Sequence, residues 1–257
     1  MKLDYSKVTE VAGEKVSREQ IQRMLSRYRF AARHSRDKAV LEVGCGSGQG
    51  LGILSQAAGR LVAADYTEHL VRQARRHYKD RIPVLRLDAH VLPFKPLSFD
   101  TIILYEAIYY LLNPNRFIVE CLRILKPGGT ILICNANKNL PDFNPSPYSH
   151  HYFSAADFHD LFQSLGMKVE CYGDCQVDYK HPVQRVLSLI KRTIVRLDLM
   201  PRTMQGKLLF KRLVFGRLVE LPAELVDNGE KIPEPVRLNS GKITHDYKVI
   251  FAVAVKP

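Results

Sequence analysis

The sequence predicts an α/β fold, in which a doubly wound, mostly parallel sheet of seven strands carries helices on both faces and a helical insertion precedes the last strand. Short apolar runs that suit buried strands recur along the chain, and segments with apolar residues at helical spacing alternate with them. A glycine-rich turn at residues 44–48 joins the first of these strands to the next helix. This order of strand, glycine turn and helix is typical of sheets that bind a ligand at the carboxyl ends of their strands.

Length and composition indicate a globular protein with a sizeable core. The chain has 257 residues and no run near the roughly 18 apolar residues of a membrane span. Its first residues lack the apolar core of a signal peptide, so we expect a cytoplasmic protein. The five cysteines include one close pair, Cys171 and Cys175, without the second pair that a zinc site needs. We therefore expect buried thiols and no metal.

The first predicted helix spans residues 14–37 and has a strongly basic face. Tyr28 lies in its apolar stripe, where it suits core packing. The first strand follows, with Val40, Leu41 and Val43 as its apolar positions.

The glycine turn carries the first functional signal. Glu42 directly precedes Val43 and the first glycine, where a carboxylate would repel a pyrophosphate but suit a positively charged ligand. The stretch at residues 42–48 resembles motif I of class I S-adenosylmethionine (SAM) dependent methyltransferases, which implies a Rossmann-like methyltransferase fold with SAM as cofactor. Two alternatives stay open at this point: a dinucleotide-binding turn, with Gln49 in place of its third glycine, and a turn that binds nothing. The resemblance implies cofactor contacts for Glu42, Gly44, Cys45, Gly46 and Gly48.

The next two strands end in further candidate cofactor residues. Asp65 closes the strand at 61–65, about 20 residues after the first glycine, as expected for a carboxylate that accepts ribose hydroxyls. Asp88 and Ala89 follow the strand at 83–87 and begin a segment that is similar to the adenine-bordering segment of the family. The resemblance also implies cofactor contacts for Tyr66, Tyr105 and, from the N-terminal helix, Tyr28.

The remaining strands are predicted at residues 101–105, 130–134, 167–172 and 248–255. The chain then divides into an N-terminal helical segment over the cofactor site, a SAM-binding core, a basic helical insertion and the last strand of the core, at residues 1–37, 38–176, 177–245 and 246–257.

Residues 105–110, after the strand at 101–105, and residues 144–152, after the strand at 130–134, should reach the acceptor. Ligands of such sheets lie beyond the carboxyl ends of the strands. Methyl transfer mainly requires alignment of the reacting atoms, whereas a sugar hydroxyl would gain from a general base, most often histidine. We therefore predict His150, His151 and Glu106 as catalytic candidates. Tyr109, Tyr148 and Tyr152 are the predicted acceptor-binding residues.

These observations predict a SAM-dependent methyltransferase that acts on a small molecule or glycan precursor. Similarity of residues 106–111, 148–152 and 185–219 to methyltransferases of bacterial polysaccharide biosynthesis implies O-methylation of a sugar. The alternatives are a lipid or quinone-like acceptor at a membrane, and an RNA-binding protein that keeps SAM as a structural ligand. Methylation of nucleic-acid bases is disfavoured, because a serine splits the prolines of the Asn-Pro-Pro-Tyr-like stretch at 144–148 and no Pro-Cys pair exists.

The net charge of +12 indicates an anionic partner, either nucleic acid or a membrane surface. Much of this charge falls between residues 181 and 220, where apolar residues at helical spacing predict a basic amphipathic helix pair. We expect this insertion to cap the acceptor pocket near residues 148–151 and to let the protein contact anionic membranes.

Overall fold

The computed structural model of the chain describes residue 5 and residues 9–177, 218–239 and 243–257. The strands in these ranges are β1 (Lys15–Val16), β2 (Ala39–Val43), β3 (Arg60–Asp65), β4 (Val84–Arg86), β5 (Phe99–Tyr105), β6 (Leu125–Ala136), β7 (Lys168–Gln176), β8 (Val219–Glu220), β9 (Val236–Arg237) and β10 (Tyr247–Val255). The α-helices are α1 (Arg18–Ser35), α2 (Leu51–Ala57), α3 (Glu68–Tyr78), α4 (Pro114–Ile124) and α5 (Ala155–Gln163).

The central sheet has the strand order β4-β3-β2-β5-β6-β10-β7-β9. Neighbouring strands are parallel from β4 to β6, whereas β10 runs antiparallel to β6 and β7. All seven predicted strands lie in this sheet, so the predicted fold is confirmed, and the two-residue β9 adds an edge strand that the sequence did not indicate. The chain proceeds from β2 outward to β3 and β4 and then returns to β5 on the other side. This reversal opens a crevice between the ends of β2 and β5.

Helices cover both faces of the sheet. On one face, α4 and α5 bury large aromatic side chains such as Phe117 and Phe158. On the other, α1, α2 and α3 pack over β2, β3 and β10, with Tyr78 and Phe251 fully buried. A strand buried on both faces needs an almost continuous apolar run, which explains why β5 and β6 were recognisable in the sequence.

Local capping sets the start of α1. The Ser17 hydroxyl accepts the Gln20 backbone N–H at 3.1 Å, and the Gln20 amide oxygen accepts the Ser17 N–H at 3.0 Å. This capping box begins the helix at Arg18, later than the predicted residue 14, because Lys15 and Val16 pair with β8 instead.

Residues 218–239, here called the strap, contain no helix and contact the helices of one face. Glu224 contacts His77 at 2.7 Å and Arg81 at 2.8 Å on the side of α3, and Asp227 pairs with Arg29 of α1. The strap therefore joins α1 to α3. This part of the predicted helical insertion is not helical, and the predicted amphipathic patterns at residues 183–197 and 208–214 lie outside the described residues.

No helix within the described ranges is long and apolar enough to cross a membrane. The same ranges contain no group of three or more His, Cys, Asp or Glu side chains that could hold a metal ion.

Candidate cofactor and acceptor site

A cavity of about 480 Å³ lies at the carboxyl ends of the parallel strands, where the strand order reverses. Each of the strands β2 to β6 contributes its last residue, or the residue just beyond it, to the wall. These residues are Val43, Asp65, Leu87, Tyr105 and Ala136. One face of α1 closes the cavity from the opposite side.

The glycine turn brings backbone to the cavity wall. Gly44, Cys45 and Gly46 line the cavity. Gly44 has φ 73°, in the left-handed region, and a Cβ there would lie 3.0 Å from the Ala107 Cβ. The turn can therefore approach both the ligand and the end of β5 only without a side chain. Gly48 is not part of the described wall, and a Cβ on it would lie 2.9 Å from the Tyr78 ring, so its role is packing.

Asp65 lies on the wall at the end of β3, with only 8% of its surface exposed. Its Oδ2 accepts the Gly46 N–H at 2.9 Å and its Oδ1 accepts the Thr67 N–H at 2.7 Å. Each carboxylate oxygen keeps a second lone pair, so Asp65 can fix the glycine turn and still accept two further hydroxyl groups. Burial raises the pKa of this carboxyl, against the opposing effect of the two backbone N–H groups.

Tyr66, Asp88 and Ala89 form the neighbouring part of the wall. The Asp88 Oδ1 accepts both the backbone N–H and the ring Nδ1 of His90, at 2.9 and 2.7 Å. Burial opposes ionisation of Asp88, but these hydrogen bonds outweigh it and lower its pKa. Tyr5 packs edge-on to Tyr66 with ring centroids 6.1 Å apart, and it lines the cavity from the N-terminal segment.

Glu42 lies behind this wall rather than on it. It is 1% exposed, and the Tyr28 hydroxyl donates to its Oε1 at 2.8 Å. Its Oε2 has no hydrogen-bond partner among the described residues. Burial raises the Glu42 pKa from 4.5 to about 7. Tyr28 lines the cavity, and it also packs so closely on Gly50 that a Cβ there would lie 2.0 Å from its Cζ. Its packing role is therefore present, and its contact with a cofactor stays a prediction.

The raised pKa of Glu42 predicts a pH-dependent cost in stability. The folded protein favours the protonated carboxyl, so the cost is absent below the ordinary pKa of 4.5, grows up to pH 7 and stays constant above it. The shift corresponds to about 3 kcal/mol. Glu42→Gln should therefore raise the free energy of unfolding by up to that amount at pH 8 and by little at pH 4.5, as measured by urea denaturation. Asp80→Asn at an exposed site is the control, and an equal effect of Glu42→Gln at both pH values would contradict the account.

Glu106 directly follows β5 and lines the cavity. Its Oε1 lies 3.4 Å from the Arg27 Nη1, and the Tyr109 hydroxyl donates to its Oε2 at 3.1 Å. Burial raises the Glu106 pKa, and the attraction of Arg27 only partly opposes this. Glu106 also has φ 50°, a conformation that costs about 1–3 kcal/mol in a residue other than glycine and is concentrated at functional sites.

The loop at residues 144–152 does not reach the described wall of the cavity, contrary to prediction. Tyr148 is 46% exposed, and both His150 and His151 are exposed. Tyr152 is buried, but it stacks behind Tyr109 at a ring distance of 4.2 Å.

Contacts within this loop explain its position. The His150 N–H donates to the Tyr109 carbonyl at 2.7 Å, and the His151 ring packs on Phe153 at 4.7 Å. The prediction of His150 and His151 as general bases therefore has no geometric support, and neither has that of Tyr148 as an acceptor-binding residue. Tyr152 supports Tyr109 from behind. Glu106 and Tyr109 are the predicted acceptor-site residues that the structure brings to the cavity.

The sequence analysis placed the N-terminal helix over the cofactor site, but Tyr28 is the one residue of α1 that it named there. Gln20, Arg23, Met24 and Arg27 line the cavity at the spacing i, i+3, i+4 and i+7, which places them on one helical face. Two arginines of the predicted basic face, Arg23 and Arg27, thus lie at the site. The helical spacing of these four residues is visible in the sequence. It does not show which face of the helix lies over the cavity.

Comparison with known proteins agrees with this geometry. Residues 41–133 match the family described as "Methyltransferase domain". This segment is a methyltransferase domain. It contains the glycine turn, Asp65, Asp88 and Glu106. The domain and its relatives that are named as S-adenosylmethionine-dependent indicate S-adenosylmethionine as the cofactor.

The relatives extend the similarity beyond the domain. A "Probable S-adenosylmethionine-dependent methyltransferase" of Mycolicibacterium smegmatis is 30% identical over 149 residues, which are 56% of this chain and 57% of the relative. A phthiotriol/phenolphthiotriol dimycocerosates methyltransferase of Mycobacterium ulcerans is 38% identical over 101 residues, 37% of this chain and 36% of that protein. The matched part of the chain thus spans 57% of the length of the first relative and 36% of the second.

A solved structure supports the fold. The SAM-dependent methyltransferase of Aquifex aeolicus is 22% identical and superposes with a TM-score of 0.56, over 67% of this chain and 93% of that one. The methyltransferase domain therefore has the class I, Rossmann-like fold.

Proposed function

We propose that this chain is an enzyme that transfers a methyl group from SAM to a hydroxyl group of a small acceptor molecule. One observation carries the choice of a hydroxyl: the partly buried, strained Glu106 lines the same cavity as the cofactor-binding turn. Its neighbour Ala107 lies against Gly44 of that turn. A carboxylate at this point is suited to receive a proton from an acceptor held next to the cofactor.

The residues of the cavity fit SAM. Asp65 would accept the two ribose hydroxyls, and Tyr66, Asp88 and Ala89 would border the adenine. Gly44, Cys45 and Gly46 would contact the methionine part, and Glu42, whose Oε2 has no hydrogen-bond partner among the described residues, lies behind them. A pyrophosphate would be repelled by these carboxylates, which disfavours a dinucleotide.

Glu106 would act as the general base. When bound, SAM would supply the methyl group: the methyl–sulfur bond would break as the bond to the acceptor oxygen forms, leaving S-adenosylhomocysteine. Glu106 takes the hydroxyl proton, and a methyl ether and a protonated carboxyl result. Burial makes Glu106 a stronger base by raising its pKa, while the attraction of Arg27 favours the ionised form and partly opposes that rise. Tyr109 fixes the carboxylate through its hydrogen bond to Oε2.

For the acceptor we propose a sugar hydroxyl of a glycan precursor, because the wall opposite the glycine turn is polar. Glu10, Gln20, Arg23 and Arg27 lie there and offer both donors and acceptors to a polyhydroxylated molecule. A lipid alcohol is the second candidate. It is favoured by Leu112, which lines the cavity and is 76% exposed, and by the lipid named as substrate of the Mycobacterium ulcerans relative.

We also propose contact with anionic membrane surfaces, on the basis of the net charge of +12. Co-sedimentation with vesicles of anionic lipid at low salt should retain the protein, and vesicles of neutral lipid should not. No binding to anionic vesicles at low salt would contradict this contact.

The proposed reaction is tested by incubating the purified protein with methyl-labelled SAM and, separately, nucleotide sugars, a long-chain diol and total RNA. We expect label in a nucleotide sugar, in a product that withstands alkali as an ether does. Label in the diol would support the lipid candidate instead. Retention of RNA without transfer to any acceptor would contradict the enzyme and favour an RNA-binding protein with structural SAM.

A further inference from the structure

Two arginines on α1 face the cavity with unused hydrogen-bonding capacity. Arg23 and Arg27 lie one helical turn apart, and both line the wall. The Arg27 side chain is only 14% exposed, yet its Nε is buried without a partner in the described part of the chain. For Arg23, no hydrogen bond or ion pair is present among residues 9–177, 218–239 and 243–257.

The carboxylates nearby do not satisfy these cations. The Arg27 Nη1 lies 3.4 Å from Glu106, whereas a charge-assisted hydrogen bond is about 2.7–2.9 Å long. Glu106 receives its closer contact from the Tyr109 hydroxyl. Glu10, the other carboxylate on this part of the wall, accepts from the neutral amide of Gln20 at 2.8 Å. The guanidinium groups are thus positioned for a ligand rather than fully paired within the protein.

We propose that Arg23 and Arg27 bind an anionic group of the acceptor, a carboxylate or a phosphate, and so select hydroxylated acceptors that carry such a group. This inference rests on the proposed function, because it places the anion next to the hydroxyl that faces Glu106. Guanidinium groups suit both anions, since their fork of N–H donors matches two oxygens at once.

The test uses the full chain saturated with S-adenosylhomocysteine, so that the cofactor carboxylate is already in place. Inorganic phosphate and acetate are titrated separately by calorimetry into the wild type, Arg23→Gln, Arg27→Gln and the control Arg18→Gln. Arg18 begins α1 but is exposed and lies outside the described cavity wall. We expect one saturable anion site in the wild type and in Arg18→Gln. Arg23→Gln should weaken it about tenfold or more, as expected for the loss of a charged hydrogen bond.

The outcomes are distinct. Tighter binding of phosphate than of acetate in the wild type would assign the site to a phosphate, and the reverse to a carboxylate. The proposal is overturned if the wild type shows no saturable anion site, or if Arg23→Gln binds anions as the wild type does. It is also overturned if both variants lose affinity for S-adenosylhomocysteine instead, since the arginines would then hold the cofactor. Failure of the wild type to bind S-adenosylhomocysteine at all would instead contradict the proposed function. Arg27→Gln leaves Glu106 without its cation, so Arg23→Gln decides the matter if Arg27→Gln does not fold.

Discussion

Asp65→Ala is expected to abolish measurable binding of SAM. The substitution would remove two charge-assisted hydrogen bonds to the ribose, each worth about 1.5–3 kcal/mol, which together correspond to a loss of affinity of roughly 10²- to 10⁴-fold. It would also release the Gly46 N–H that Asp65 Oδ2 holds at 2.9 Å, so the glycine turn would lose its fixed position. Isothermal titration calorimetry of the purified variant with SAM measures the effect.

Two control variants separate binding from folding. Asp65→Asn keeps the size of the side chain and one acceptor oxygen, so it should fold and still bind SAM far more weakly than the wild type. Asp80→Ala, at an exposed site, should bind SAM as the wild type does. Unchanged affinity of Asp65→Ala for SAM, or a preference of the wild type for NAD over SAM, would contradict the cofactor assignment.

Glu106→Gln is expected to lower kcat by about 10²- to 10⁴-fold, the usual contribution of a general base, while the affinity for SAM stays within a few fold. Glutamine fills the same space and can still accept the Tyr109 hydroxyl, but it cannot take a proton. Single-turnover transfer of a labelled methyl group measures the rate.

The pH dependence gives this prediction a second test. The base works only when ionised, so the wild-type rate should fall as the pH drops through the raised pKa of Glu106, and the residual rate of Glu106→Gln should not follow that curve. His150→Ala and His151→Ala are matched controls that should keep nearly full activity, because neither side chain lines the described cavity. Full activity of Glu106→Gln would mean that alignment alone accounts for catalysis.

The cofactor half of the site could be predicted because its signals are local in the sequence. The glycine turn connects two adjacent elements, and Asp65 ends the next strand, so the order of elements alone brings them together. The parallel strands were equally clear, since burial on both faces requires apolar runs. The strands β1, β8 and β9 were not predicted, because each has two residues and so shows no periodicity to detect.

The acceptor half depends on contacts between distant residues, which no local pattern shows. Arg27 and Glu106 are 79 positions apart, and their approach depends on how α1 lies over the ends of the strands. His150 and His151 lie in the loop that follows β6, and the end of β6 does line the cavity. The direction of the loop itself, however, is set by its packing. Here Tyr152 stacks on Tyr109 and draws the loop behind the cavity instead of into it.

The central claim is that one cavity holds the cofactor on Asp65 and directs its methyl group toward Glu106. A crystal structure of the protein with S-adenosylhomocysteine tests this most directly. The account predicts both ribose hydroxyls within about 3 Å of the Asp65 carboxylate, the adenine beside Tyr66 and Ala89, and the sulfur facing Glu106 and Tyr109. A ligand whose ribose does not contact Asp65, or whose sulfur points away from Glu106, would contradict it.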